Sequence, residues 1–171
     1  MKLDALTGLP THDGVAGRLD DGSAPFGAIF DVDALAWATC RFGFAHSDRI
    51  LIHVAGIIDA AARASAGESF RIGGDEFLAL LPGASHDDAL RFARSVVRDV
   101  DALRLEYSRD DDPTRRRVAV NAVVCRVTAG LTGRIQAARE WTADMIWQAK
   151  RGHPLATEVV ADAGDDLPPW A

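Results

Sequence analysis

Residues 68–81 read Glu68-Ser69-Phe70-Arg71-Ile72-Gly73-Gly74-Asp75-Glu76-Phe77-Leu78-Ala79-Leu80-Leu81. Two strand-like runs, 68–72 and 77–81, flank the Gly73-Gly74 pair, and such a pair between two strands is a hairpin signal. Working outward, Phe26 to Val32 is an apolar run of strand length and predicts a buried strand. Helices are predicted over 9–19 with Thr11 as N-cap, over 34–40, and over 46–64, where Ile50, Leu51, Val54, Ile57 and Ile58 recur at helical spacing. Two more are predicted over 85–105, with Ser85 as N-cap, and over 134–150, stopped by Gly152 and Pro154. Residues 107–117 are charged and contain Pro113; they read as a solvated loop in which Arg115, Arg116 and Arg117 are balanced by Asp110 to Asp112. Arg117 to Val127 is Val-rich and reads as a strand, 158–161 as an edge strand, and 163–171 as a loose tail. Alternating helices and strands predict a helix-covered sheet.

The composition bounds the function. The chain has 171 residues, one domain's worth, with 48% hydrophobic and 26% charged residues, as in ordinary globular proteins. Nineteen Lys and Arg against 25 Asp and Glu give a formal charge of −6, which argues against holding a nucleic acid polymer by bulk electrostatics. A nucleotide is still compatible, because a metal ion can supply positive charge. No apolar run approaches the roughly 20 residues that span a bilayer, and the N-terminus lacks a signal-peptide core, so the expectation is a cytoplasmic protein without a membrane partner. Cys40 and Cys125 are expected to be buried, reduced thiols rather than a disulfide. His46 and His53 read as surface or core histidines. Trp37, Trp141 and Trp147 read as core, and Trp170 as a possible docking residue.

Two acidic spots carry chemistry. Asp31-Val32-Asp33 ends the buried strand, and Asp75-Glu76 follows the glycine pair. If the hairpin lies beside that strand, Asp31 and Asp75 converge, and hard oxygen ligands with open positions suit Mg²⁺. Glycines there would admit close approach of a ligand to the backbone. The competing reading makes Asp33 and Glu76 turn and surface residues.

Arg71-Ile72-Gly73-Gly74-Asp75-Glu76-Phe77 resembles the signature of the GGDEF family, the diguanylate cyclases. Asp4-Ala5-Leu6-Thr7-Gly8-Leu9-Pro10 resembles its D-x-L-T-G-L-P opening, and Phe30-Asp31-Val32-Asp33 its first metal-binding strand end. Asp48-Arg49-Ile50-Leu51 and Gln148-Ala149-Lys150 resemble two later segments, in the same order. The resemblance implies an α+β fold, a central antiparallel sheet surrounded by helices and related to the palm of nucleotidyl cyclases and polymerases. Residues 1–162 would be the domain and 163–171 the tail.

It also implies a reaction in which two GTP molecules on facing domains of a homodimer condense to cyclic di-GMP. Asp31, the Val32 carbonyl and Asp75 would hold Mg²⁺ or Mn²⁺. Asp75, Asp31, Gly73, Gly74 and Glu76 form the implied catalytic set, with Asp75 assisting deprotonation and the glycines leaving room for the α-phosphate and ribose. The amides of Ala34, Leu35 and Ala36 would receive the terminal phosphates, Lys150 would contact them, and Asp48 would accept from guanine. With no room for a sensory or dimerising module, the chain would depend on self-association or on a separate regulatory protein.

The chain departs from the family pattern around the substrate. Ala36 stands for a Lys, Thr39 for the guanine-reading Asn, Cys40 for an Asp, Phe44 for a His and Ser47 for a Gly; the Lys150-Arg151-Gly152-His153 segment is one residue short. Thr is shorter and lacks the paired amide groups. An R-x-x-D pair before the signature is absent at Ala64 to Gly67, so product inhibition there is not expected. Two readings follow: a cyclase, or a degenerate domain that binds a nucleotide or a partner protein without turnover.

Overall fold

The structure is a computed structural model, which describes residues 2–19, 25–109, 112–128, 135–152 and 160–162. A five-stranded sheet runs in the order β2-β3-β1-β6-β7, where β1 is Phe26–Val32, β2 Glu68–Arg71, β3 Glu76–Leu81, β6 Val120–Arg126 and β7 Val160–Asp162. Its first four strands are antiparallel, and β7 joins β6 in parallel. A separate two-stranded hairpin comprises β4 (Glu106–Arg109) and β5 (Asp112–Arg117). The helices are α1 (Asp13–Ala16), α2 (Leu35–Phe42), α3 (Phe44–Ala64), α4 (His86–Ala102) and α5 (Ile135–Gly152).

Alternation along the strands divides the interior in two. Ala28, Phe30 and Val32 of β1 share one core with Phe77, Ala79 and Leu81 of β3, Val120, Ala122 and Val124 of β6, and the apolar stripes of α2, α3 and α4. On the opposite face Ile29, Leu78, Leu80 and Cys125 pack with Val15 and Leu19, and Trp141 of α5 rests against them. Phe30 lies directly opposite Phe77 across the central strand pair, both fully buried. Burying such a side chain stabilises by about 1.5–3 kcal/mol relative to exposure.

Several local expectations are corrected. The 9–19 segment is helical only over Asp13–Ala16, whose N-cap is His12; Thr11 instead bridges Arg71, and the Arg71 amide donates to the Pro10 carbonyl. The charged 107–117 segment is the β4–β5 hairpin rather than a loop, and its register shift between Tyr107 and Arg109 accommodates the irregular pairing. The hairpin is anchored because fully buried Tyr107 packs edge-on to Trp37 and donates to the Asp33 carbonyl at 3.1 Å. Two of its arginines are paired: Arg116 with Asp33 and Arg117 with Asp101. Asp110 and Asp111 fall outside the described residues, as do Trp170 and the 163–171 tail.

Cys40 is exposed, because the outer side of α2 carries it; Cys125 is buried, and burial pushes its thiol up to about 12. Trp147 is 58% exposed on α5, with the Arg151 guanidinium 4.8 Å from its ring centroid, while Trp37 and Trp141 pack against the cores. Ser85 caps α4 through a reciprocal capping box with Asp88.

Gly27 explains how closely β1 can seat between its neighbours. A Cβ there would lie 2.6 Å from the Ala79 carbonyl oxygen and 2.8 Å from a Val127 methyl. Gly27→Ala is therefore expected to destabilise the protein by about 1–3 kcal/mol, read as a lower midpoint in urea unfolding; an unchanged midpoint would show that the strands part without cost.

Candidate active site

The site grows from one rung of the sheet. Antiparallel register sets Asp31 of β1 opposite Glu76 of β3 on one side and Asn121 of β6 on the other. Residues directly opposite one another project from the same face, so the three polar side chains form a row across the middle of the sheet at the end of β1. Asp75, one residue before β3, joins them, and its carbonyl accepts the Val32 amide at 3.1 Å. Carboxylate oxygens of Asp31, Asp75 and Glu76 all lie within 4.8 Å of one another.

Taking this charge out of water is unfavourable, and the carboxyls respond. Burial, with the charges of Glu76 and Asp33, raises Asp31 from 3.8 to about 6, against the opposing hydrogen bond from Asn121 and charge of Lys150. Burial raises Asp75 too, aided by its hydrogen bond and repulsion with Glu76. Glu76 is buried, so it is no surface residue; Arg139 of α5 meets its Oε1 through Nε at 2.5 Å. Its Oε2 is buried without a hydrogen-bond partner among the described residues. Three converging carboxylates, one of them with an orphaned buried oxygen, are a donor set that fits a hard divalent cation such as Mg²⁺ or Mn²⁺.

The turn between β2 and β3 is held from the N-terminal segment. Arg71 donates to the carbonyls of Gly73 and Gly74 and to Asp4 Oδ1, the last at 2.9 Å. Asp4 also accepts from the Thr7 amide and hydroxyl. Asp4 and Arg71 thus form an ion pair that ties the turn to the N-terminal segment. The two glycines differ. A Cβ at Gly73 would fall 1.9 Å from Glu76 Oε2 and 3.2 Å from Arg139 Nε, so the Glu76 carboxylate already occupies that space. Gly74 is exposed and has nothing within 4 Å of that position.

Just beyond β1, Asp33 is gripped at every polar atom. Its amide donates to the Ala119 carbonyl, its carbonyl accepts from Tyr107, and its carboxylate pairs with Arg116 at 2.7 Å and with Lys150 at 3.3 Å. Ala34 follows in the left-handed region (φ 59°) and starts α2 with no capping side chain, so the first-turn amides of Leu35 and Ala36 have no intrahelical acceptor. Lys150 is therefore drawn to this turn through Asp33. Thr39 and Asp48 lie on the α2–α3 side instead. The Thr39 hydroxyl donates to the Leu35 carbonyl at 2.9 Å and lies 2.8 Å from Ser47 Oγ, while Asp48 is half-buried one residue further on. His53 is exposed; His46 is half-buried against Phe42 and Tyr107, where burial and Arg49 lower its pKa.

Sequence reasoning missed Arg139, Arg116 and Asn121 as parts of this site. The available signal for Arg139 was its spacing: it precedes Lys150 by eleven residues, about three helical turns, so both share one face of α5. A cavity of about 740 Å³ lined by Phe26, His86 and Arg126 lies near the other end of β1 and contains none of the acidic row.

The raised carboxyls have a consequence for stability. A carboxyl whose pKa is higher folded than unfolded binds more protons when folded. Its contribution is present below its ordinary 3.8 and is lost as pH rises through about 6 for Asp31. Metal-free protein in chelator should therefore lose Tm across that window more steeply than Asp31→Asn, by calorimetry. Parallel profiles would mean that burial and its charged neighbours do not raise Asp31.

The family model described as Diguanylate cyclase, GGDEF domain matches residues 1–151. The chain resembles the GGDEF domain of DgcB from Caulobacter crescentus, solved with c-di-GMP, at 20% identity and TM-score 0.71, covering 94% of this chain and 95% of that one. It resembles the GGDEF domain of TpbB (YfiN) from Pseudomonas aeruginosa at 25% identity and TM-score 0.66, covering 95% of each. Diguanylate cyclase SiaD from Pseudomonas aeruginosa, solved with its activator SiaC, matches at 24% identity and TM-score 0.71, over 94% of this chain and 61% of that one. Since that family model spans residues 1–151, the chain belongs to the GGDEF diguanylate cyclase domain family.

Proposed function

We propose that the chain is a diguanylate cyclase that condenses two GTP molecules to cyclic di-GMP with a divalent cation. The observation that carries this reading is the convergence of Asp31, Asp75 and the buried, half-satisfied Glu76 carboxylate at the end of β1. Those carboxylates would hold Mg²⁺ or Mn²⁺, with the Val32 carbonyl as a further candidate ligand. The bound ion would lower the pKa of the attacking 3′-hydroxyl and offset charge on the triphosphate. Asp75 is the candidate to take the hydroxyl proton on a carboxylate oxygen. The amides of Leu35 and Ala36, together with Lys150, are the candidates for the terminal phosphates, and exposed Gly74 leaves the turn open to the nucleotide. Each 3′-hydroxyl attacks the α-phosphorus of the other GTP and pyrophosphate leaves, so two copies must face each other, as a homodimer. A separate activator, of the kind SiaC is for SiaD, would suit control of that encounter.

Thr39 favours a second reading, in which a nucleotide binds without turnover. Its hydroxyl is engaged by the Leu35 carbonyl and Ser47, and Asp48 remains as the guanine acceptor. Purified protein with GTP and Mg²⁺ or Mn²⁺ is expected to yield cyclic di-GMP on chromatography, at a rate rising faster than linearly with protein concentration. Asp75→Ala should lower the rate by about 10²–10⁴-fold, as for loss of a general base. GTP binding with no product at high protein concentration would establish the second reading, and parallel ATP reactions read base preference.

A further inference from the structure

Arg139 lies outside every motif that pointed to the site, yet it makes the shortest contact any cation makes to the acidic row among the described residues. We propose that Arg139 is a positioning residue for the cation site, acting through Glu76: it holds one carboxylate oxygen so that the other is presented to Asp31 and Asp75. Arg139 has this role only if the acidic row binds a cation, as proposed above.

Three observations fix the Glu76 carboxylate. Arg139 Nε takes Oε1 at 2.5 Å. Oε2 is buried and unpartnered among the described residues, and Glu76 offers an oxygen to the group within 4.8 Å of Asp31 and Asp75 oxygens. The backbone of Gly73 closes the remaining side, since any β-carbon there would collide with Oε2. The carboxylate is thus confined between a guanidinium and a glycine backbone, with a single oxygen left over. A buried carboxylate beside two others is unfavourable unless paired, and Arg139 supplies that pairing through Oε1. The pairing also holds the guanidinium, which the Glu76 hydrogen bond keeps firmly protonated. Groups that orient a ligating carboxylate in this way typically change metal affinity by about 10–100-fold when removed.

The test is Mn²⁺ titration of the full chain, with free Mn²⁺ read by electron paramagnetic resonance and Tm recorded without metal. Arg139→Met is expected to weaken Mn²⁺ binding by about tenfold or more, and Arg139→Lys to recover part of the loss, because its ammonium keeps the charge but not the guanidinium's geometry. Glu76→Gln should also weaken binding, and adding Arg139→Met to it should cost little more, since the arginine acts through that carboxylate. A salt bridge that merely tied α5 to β3 would lower Tm and leave Mn²⁺ affinity unchanged, which would overturn the proposal. So would an undiminished effect of Arg139→Met in the Glu76→Gln background. If Arg139→Met does not fold, Arg139→Lys decides alone: wild-type affinity overturns the proposal. If the wild-type chain binds no Mn²⁺ while Asp31→Asn and wild type behave alike, the cation reading itself falls, and Arg139's role with it.

Discussion

The β1–β3 register is the constraint on which the rest depends. Phe30 opposite Phe77 points into the larger core, and the next pair along, Asp31 opposite Glu76, points to the other face. Side chains alternate with a period of two, so a slip of one residue would turn the Phe77 ring out of its core and move the carboxylates to the wrong side. Apolar burial thus places the charges. The free energy that seats two phenylalanines also offsets the cost of carboxylates buried a few ångströms apart, whose burial and mutual repulsion raise Asp31 and Asp75.

Cations from distant parts of the chain surround this row. Arg139 and Lys150 come from one face of α5, Arg116 from the β4–β5 hairpin, and Arg71 ties the glycine turn to Asp4 near the N-terminus. The net charge of −6 is therefore not spread evenly over function. Negative groups are concentrated at the end of β1, and each arriving cation holds one carboxylate or one turn in place. The nearby base side differs from the family pattern through Thr39 and Ser47, which satisfy each other.

Much of the architecture was legible locally. The apolar run 26–32, the glycine-pair hairpin and the long amphipathic helix each follow from short-range periodicity, and the structure has all three. Asp31 and Asp75 were legible because a strand end and a glycine turn announce themselves in sequence. The β4–β5 hairpin was not, because its charges and Pro113 resemble a solvated loop, and its anchor, Tyr107 on Trp37 and Asp33, joins residues about seventy positions apart. The competing reading of Glu76 as a surface residue fails for the same reason: its partner Arg139 sits on α5, sixty-three positions later. Trp147 and Cys40 were assigned to the interior by residue type, and helix orientation put both outside. What escaped the sequence was pairing between elements, which the period of one element does not encode.

The central claim is that the carboxylates aligned by this register form a divalent-cation site. Anomalous diffraction from crystals grown with Mn²⁺ and a non-hydrolysable GTP analogue tests it most directly. The account predicts an anomalous peak in contact with oxygens of Asp31, Asp75 and Glu76, with Arg139 still on the far oxygen of Glu76. Fully occupied nucleotide with no peak there, or a peak held by other residues, would contradict it.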